Sequence, residues 1–213
     1  VKHLAKLLFA STLLFLASLA MAVEFEENTH YEALLPEPPV GKPGDKIEII
    51  EFFMWTCPHC YHFEPFIRDW LPNKPDGVEF MRVPAMFGGI ANLHAKVYYA
   101  LQAMGELDRV HVAFFNEIHE KRNRLEDQDA IEAFLRGQKV DIDKFRQAMN
   151  SFAVATRTNR AAALMRRYGV RAVPSLVIDG RYRSGRGLDF EGMIKLADFL
   201  VDRVHRERQE ESE

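Results

Sequence analysis

The sequence predicts an α/β fold with an inserted helical subdomain, on three observations. A strand–helix–strand pattern occupies residues 47–83. Residues 90–168 then carry helical stripes with no β pattern among them. From Pro174 the β pattern returns as a hairpin followed by one long helix. Layered packing makes the two β segments parts of one sheet, with the helices inserted between them. The expected division is a leader of residues 1–22, an α/β domain of residues 23–88 and 169–205, a helical domain of residues 89–168 and a charged tail of residues 206–213.

The leader has the pattern of a secretory signal. Lys2 and Lys6 precede an apolar stretch from Leu7 to Leu19, and Ala20-Met21-Ala22 fits a small-residue cleavage site. Cleavage there would start the mature chain at Val23. The formal charge of −3 would become −5, a balance that argues against a nucleic-acid partner. No later apolar run approaches membrane length.

The elements follow in order. His30 to Leu35 is a short strand candidate. Pro36 to Gly44 holds four prolines and two glycines and reads as a loop. Ile47 to Met54 reads as a buried strand. Tyr61 to Trp70 is helical, with a kink expected at Pro65. Val78 to Val83 alternates as a strand. Leu93, Val97, Leu101 and Met104 set a helix that Gly105 can end. Leu107, Val110, Phe114 and Ile118 set a second. A third lies between Asp127 and Gly137, a fourth behind Asp141, and a longer one runs from Val154 to Tyr168. Ser175 to Ile178 is a strand, Asp179-Gly180 a two-residue turn, and Arg181 to Arg183 the return strand. Asp189 can cap the final helix, and the charged stretch from Arg203 is expected to fray.

Chemistry centres on Cys57-Pro58-His59-Cys60. These are the only two cysteines among 213 residues. A strand that ends in Cys-x-x-Cys at a helix start is the signature of a thioredoxin-like redox site. A disulfide across so short a loop constrains the unfolded chain by only about 2 kcal/mol. Its purpose is chemical rather than structural, and an exported chain meets an oxidising compartment. At a helix N-terminus a thiolate is stabilised, which marks Cys57 as the nucleophile and Cys60 as the more covered partner. Pro58 suits the first helical position, where its missing N–H costs nothing. His59 can stabilise the Cys57 thiolate through an N–H or a positive charge.

The block from Phe52 to Pro65, with Val173-Pro174 far downstream and Phe87-Gly88-Gly89 between, resembles the DsbA family of bacterial periplasmic thiol oxidases. The resemblance covers residues 25–205. It implies a thioredoxin-like fold and a monomeric enzyme whose cofactor is no more than the Cys57–Cys60 disulfide. That disulfide would pass to reduced, unfolded exported proteins, and a DsbB-like, quinone-linked membrane partner would restore it. The family carries a buried acid at the place of Glu51, which would relay a proton to Cys60; an edge-facing acid is the alternative. Pro174 is expected to be cis and to lie across from the cysteines, with the Val173 backbone pairing with an extended substrate. Thr56 and Ala172 depart from the commoner family pattern.

Other groups point to less. His62 beside Cys57, His59 and Cys60 suggests a metal cluster, but no second ligand pair exists at zinc spacing, so no metal is expected. His30, His94, His111 and His119 read as structural or surface residues. Arg181, Arg183 and Arg186 read as a solvated basic hairpin. Tyr61 and Phe63 either line an apolar client patch or pack inside. The rival functions are a disulfide reductase or isomerase, and a non-enzymatic chaperone that binds peptide or metal.

Overall fold

The computed structural model describes residues 25–34 and 46–211. The signal segment and the Pro36–Gly44 loop lie outside the described residues.

Five strands form one mixed sheet in the order β1-β5-β4-β2-β3. They are β1 (Tyr31–Ala33), β2 (Ile47–Phe53), β3 (Val78–Pro84), β4 (Ser175–Ile178) and β5 (Tyr182–Ser184). β2 and β3 run parallel, joined by helix α1 (Pro58–Trp70) and a short 3-10 turn, Leu71–Asn73. β4 returns antiparallel to β2, and β5 and β1 continue antiparallel beyond it. Helices α2 (Gly89–Ala103), α3 (Leu107–His119), α4 (Gln128–Gly137), α5 (Ile142–Met149) and α6 (Phe152–Arg167) stand between β3 and β4, and α7 (Phe190–Glu210) closes the chain.

The sheet divides two cores. Ile50, Phe52 and Val177 pack with the helical insertion, around Val97, Phe114 and Leu164. Ile47, Ile49, Leu176 and Ile178 face the other way, onto Phe63 and Ile67 of α1 and Leu196 and Leu200 of α7. β2 is covered on both faces, which is why its sequence is a near-continuous apolar run.

Local chemistry sets the helix ends. Asp127, Asp141, Ser151 and Asp189 each accept a backbone N–H in the first turn of the helix that follows. Gly105 and Gly169 take positive φ just beyond α2 and α6.

α1 begins at Pro58, the first helical position expected of it, with Cys57 as its cap. The helix continues through the exposed Pro65, with Phe63 and Ile67 buried on either side. Two expectations need correction. Asp179 and Gly180 do form the turn at positive φ, closed by the Arg181 N–H to Ile178. The ladder, however, pairs Ile178 with Tyr182, so Arg181 is an extra residue and the return strand starts one position later. The stretch from Arg203 does not fray. It stays helical to Glu210, with Val204 buried and Arg208 paired to Asp179 at 2.6 Å.

Candidate active site

β2 delivers the chain to the cysteines, and α1 starts on them. Cys57 is the N-cap of α1 in extended conformation, with Pro58 behind it at the first helical position. Its Sγ accepts the Cys60 N–H at 3.4 Å. The two cysteines are not cross-linked in this structure. Cys57 is 8 % exposed and Cys60 1 % exposed. Cys60 is therefore sealed beneath its partner, and only Cys57 borders solvent.

Their electrostatics diverge accordingly. A hydrogen bond from Cys60 lowers the Cys57 pKa most. Burial opposes it, and the backbone N–H groups of Cys60 and His59 and the His59 charge lower it further, to about 6. Burial drives the Cys60 pKa far up, and the Cys57 hydrogen bond and the nearby Glu51 charge add to this. His59 is exposed on α1, so its backbone contributes ahead of its ring.

The second wall comes from 116 residues downstream. The Val173–Pro174 bond is cis, and the Val173 carbonyl accepts the Cys57 thiol at 3.5 Å.

Glu51 is not an edge residue. It lies on central strand β2, 2 % exposed. Burial raises its pKa to about 7, against the opposing charge of Arg82. Arg82 Nε meets Glu51 at 3.0 Å and Arg82 Nη2 meets Glu64 at 2.9 Å. Burial alone would raise Glu64, but the facing His111 and the Arg82 charge outweigh it and hold Glu64 below the usual range. Of the two acids on this arginine, Glu51 is the one poised to carry a proton near neutrality.

Three further side chains back this layer and were missed in the sequence. The Trp55 indole N–H donates to His111 Nδ1 at 3.2 Å. That fixes the neutral ring with its hydrogen on Nε2, 3.4 Å from Glu64. His119 Nε2 donates to the Trp55 carbonyl at 2.8 Å and stacks on Tyr61 at 4.7 Å. The signal was present: 111, 115 and 119 form one stripe of α3. Arg82 was not singled out from the sequence: its place opposite Glu51 follows from the parallel β2/β3 register.

The remaining candidates separate. Phe63 is buried and stacks on Phe190 at 5.7 Å, so it packs rather than lining a client patch. Tyr61 is half-buried, its hydroxyl on Glu120 at 2.7 Å. His62 is exposed, and among the described residues no group of three or more His, Cys, Asp and Glu is placed to hold a metal. Arg181 and Arg183 are not merely solvated: Arg181 joins Asp179, Glu207 and Glu211, and Arg183 holds the Tyr168 carbonyl at 2.6 Å.

A DSBA-like thioredoxin domain model matches residues 76–200. The thiol:disulfide interchange protein DsbA of Pseudomonas aeruginosa is 39% identical over 202 residues, covering 92% of this chain and 95% of that protein. The chain belongs to the DsbA family. The protein of the same name from Burkholderia cepacia is 39% identical over 176 residues, 82% of this chain and 83% of the relative. The crystal structure of Pseudomonas aeruginosa DsbA superposes with a TM-score of 0.81 at 37% identity, covering 87% of this chain and 97% of that one. The oxidoreductase DsbA of Xylella fastidiosa gives 0.77 at 33%, over 83% and 96%. The inserted helices of this DsbA-family chain therefore belong to a shared architecture.

Proposed function

We propose that this chain is a protein dithiol oxidase that donates its Cys57–Cys60 disulfide to newly exported proteins in the periplasm, after loss of residues 1–22. The observation that carries this reading is the opposed environment of two thiols one helical turn apart. A client thiolate attacks Cys57, the sulfur with access. The Cys57–Cys60 bond breaks and a client–Cys57 disulfide forms. Cys60 leaves into a site that strongly disfavours its thiolate, and it takes a proton from Glu51. A second client thiolate then attacks the client sulfur, and Cys57 departs as a stable thiolate. Two electrons pass to the protein, and the client keeps the disulfide.

In this reading Pro58 and His59 tune Cys57, and Val173 and Pro174 hold the client backbone. Residues 23–88 and 169–205 form the thioredoxin-like unit that carries the site, and residues 89–168 form the helical cover. No cofactor beyond the disulfide is required, and a DsbB-type quinone-linked membrane partner reoxidises the monomer. The test is transfer to a reduced, unfolded polypeptide that contains cysteines. Stoichiometric disulfide formation is expected from the oxidised protein. Cys60→Ser should instead trap a mixed disulfide through Cys57. Reduction of an oxidised client in preference to oxidation of a reduced one would reverse the assignment.

A further inference from the structure

Beside the cysteines, between the cis-Pro174 loop and the Ser184–Leu188 loop, runs an open groove of about 680 Å³. His59 stands at one end, and Leu188, Phe190 and Met193 give it an apolar floor. Its charge is one-sided. Arg171 comes from the cis-Pro174 loop, Arg183 from β5 and Arg186 from the loop after β5, while α7 contributes no charge. The single acid, Glu32 on β1, is already bound to Arg183 at 2.6 Å. Arg171 and Arg186 are exposed, and neither makes an ion pair among the described residues. The protein as a whole has a formal charge of −3, so this positive groove runs against its own background.

We infer that this groove selects client segments carrying acidic side chains within a few residues of the reacting cysteine. The inference rests on the proposed oxidase function and adds a substrate class to it. Cys57 faces the Val173 carbonyl, so a polypeptide disulfide-bonded to Cys57 and lying in the groove would run past Arg171, three residues from Pro174. A carboxylate there pairs with an arginine that makes no ion pair among the described residues. A lysine meets like charge twice. A free inorganic anion would gain the charge but leave the apolar floor uncovered, whereas an extended peptide fills both. Complementary charge of this kind acts on encounter rate and on partner choice, and salt screens it.

The probes are two cysteine peptides of equal length, one with aspartates flanking the cysteine and one with lysines. Each oxidation rate with the disulfide form of the protein is divided by that peptide's rate with hydroxyethyl disulfide. This neutral oxidant cancels the peptide's own thiol pKa. At low salt the normalised rate should favour the acidic peptide by about three- to tenfold, the scale of one or two exposed ion pairs. The preference should shrink towards unity in about 0.5 M salt, where the screening length is only a few ångströms. Arg171→Glu with Arg186→Glu should invert it. Lys96→Glu, the same charge reversal at one site on the exposed face of α2, should leave it in place. Equal normalised rates at low salt, or a preference that survives the double reversal, would overturn the inference while leaving the oxidase intact. Oxidation of neither peptide by the unmodified protein would overturn the oxidase reading itself.

Discussion

Cys57 and Cys60 share one helical turn, yet one is capped by backbone N–H groups and the other is walled in. A thiolate titration followed at 240 nm should show one group near pH 6 and none near 9, because Cys57 is lowered and Cys60 raised from the usual 9.0. The sign for stability follows from the lowered value. The reduced protein gains its full thiolate stabilisation above the unfolded pKa of 9.0 and loses it as pH falls through about 6. Between these limits its stability relative to the oxidised form should climb by at most about 1.4 kcal/mol per pH unit, less what solvent screening removes at a bordering sulfur. Against it stands a cross-link worth about 2 kcal/mol. Melting both redox forms at pH 5, 7 and 9 should therefore show the oxidised form ahead in acid and the reduced form ahead by pH 9. Glu51 has the opposite sign. Its pKa is raised from 4.5 to about 7, so keeping it buried costs nothing in acid and increasingly more as pH rises between those values. Glu51→Gln should slow exchange on the order of tenfold or more and flatten its pH profile near 7, without lowering the melting temperature at pH 7. Stopped-flow exchange and thermal melts read the two effects separately. At this scale the cysteines and Pro58 were legible because motif spacing encodes them, and cis-Pro174 was legible through the family resemblance. Glu64 was not, and although His111 and His119 share one stripe of α3, their meaning depends on which helix the fold brings to the back of β2.

Among the elements, β2 and α3 are joined by more than apolar packing. Trp55, the last large residue before the motif, stacks on Phe114 at 4.0 Å and hydrogen-bonds His111, both on α3. His111→Leu keeps the volume but strands a buried indole N–H. It should cost about 1–3 kcal/mol in denaturant unfolding, with Trp55→Phe in the same background recovering part of the loss. Additive losses would mean the bond contributes nothing. The helices themselves were readable to within a few residues, since caps such as Asp127 and Asp141 and the glycines after α2 and α6 punctuate the apolar stripes. Arg181 was not readable as an extra residue. The Asp179-Gly180 turn was present in the letters, but the pairing beyond it is set by β1 and α7, which come from opposite ends of the chain.

Across the whole molecule, the charged end of α7 is part of the fold. Glu207 accepts from Tyr182 and Arg203, and Arg208 reaches the buried Asp179. A chain ending at Asp202 should lose roughly 3–5 kcal/mol, the scale for removing one partner from a buried ion pair. Calorimetry on the truncated protein would show no change if that segment were a solvated tail. Its composition hid this role, because charge alone does not distinguish a fraying end from a clasp. The strand–helix–strand unit and the insertion were readable because strand and helix periods alternate in blocks; the order of the strands in the sheet comes from the structure alone. The depth at which the insertion shares its core with Phe52 and Val177 was not. Order of synthesis gives the long span between Cys57 and Val173 a further meaning. The thiol and the carbonyl that receives it are separated by 116 positions. At about 5–20 residues per second, a chain growing from its N-terminus holds Cys57 for roughly 6–23 s before the facing carbonyl has been made. Through that interval Cys57 and Cys60 exist without the Val173 carbonyl that later faces them.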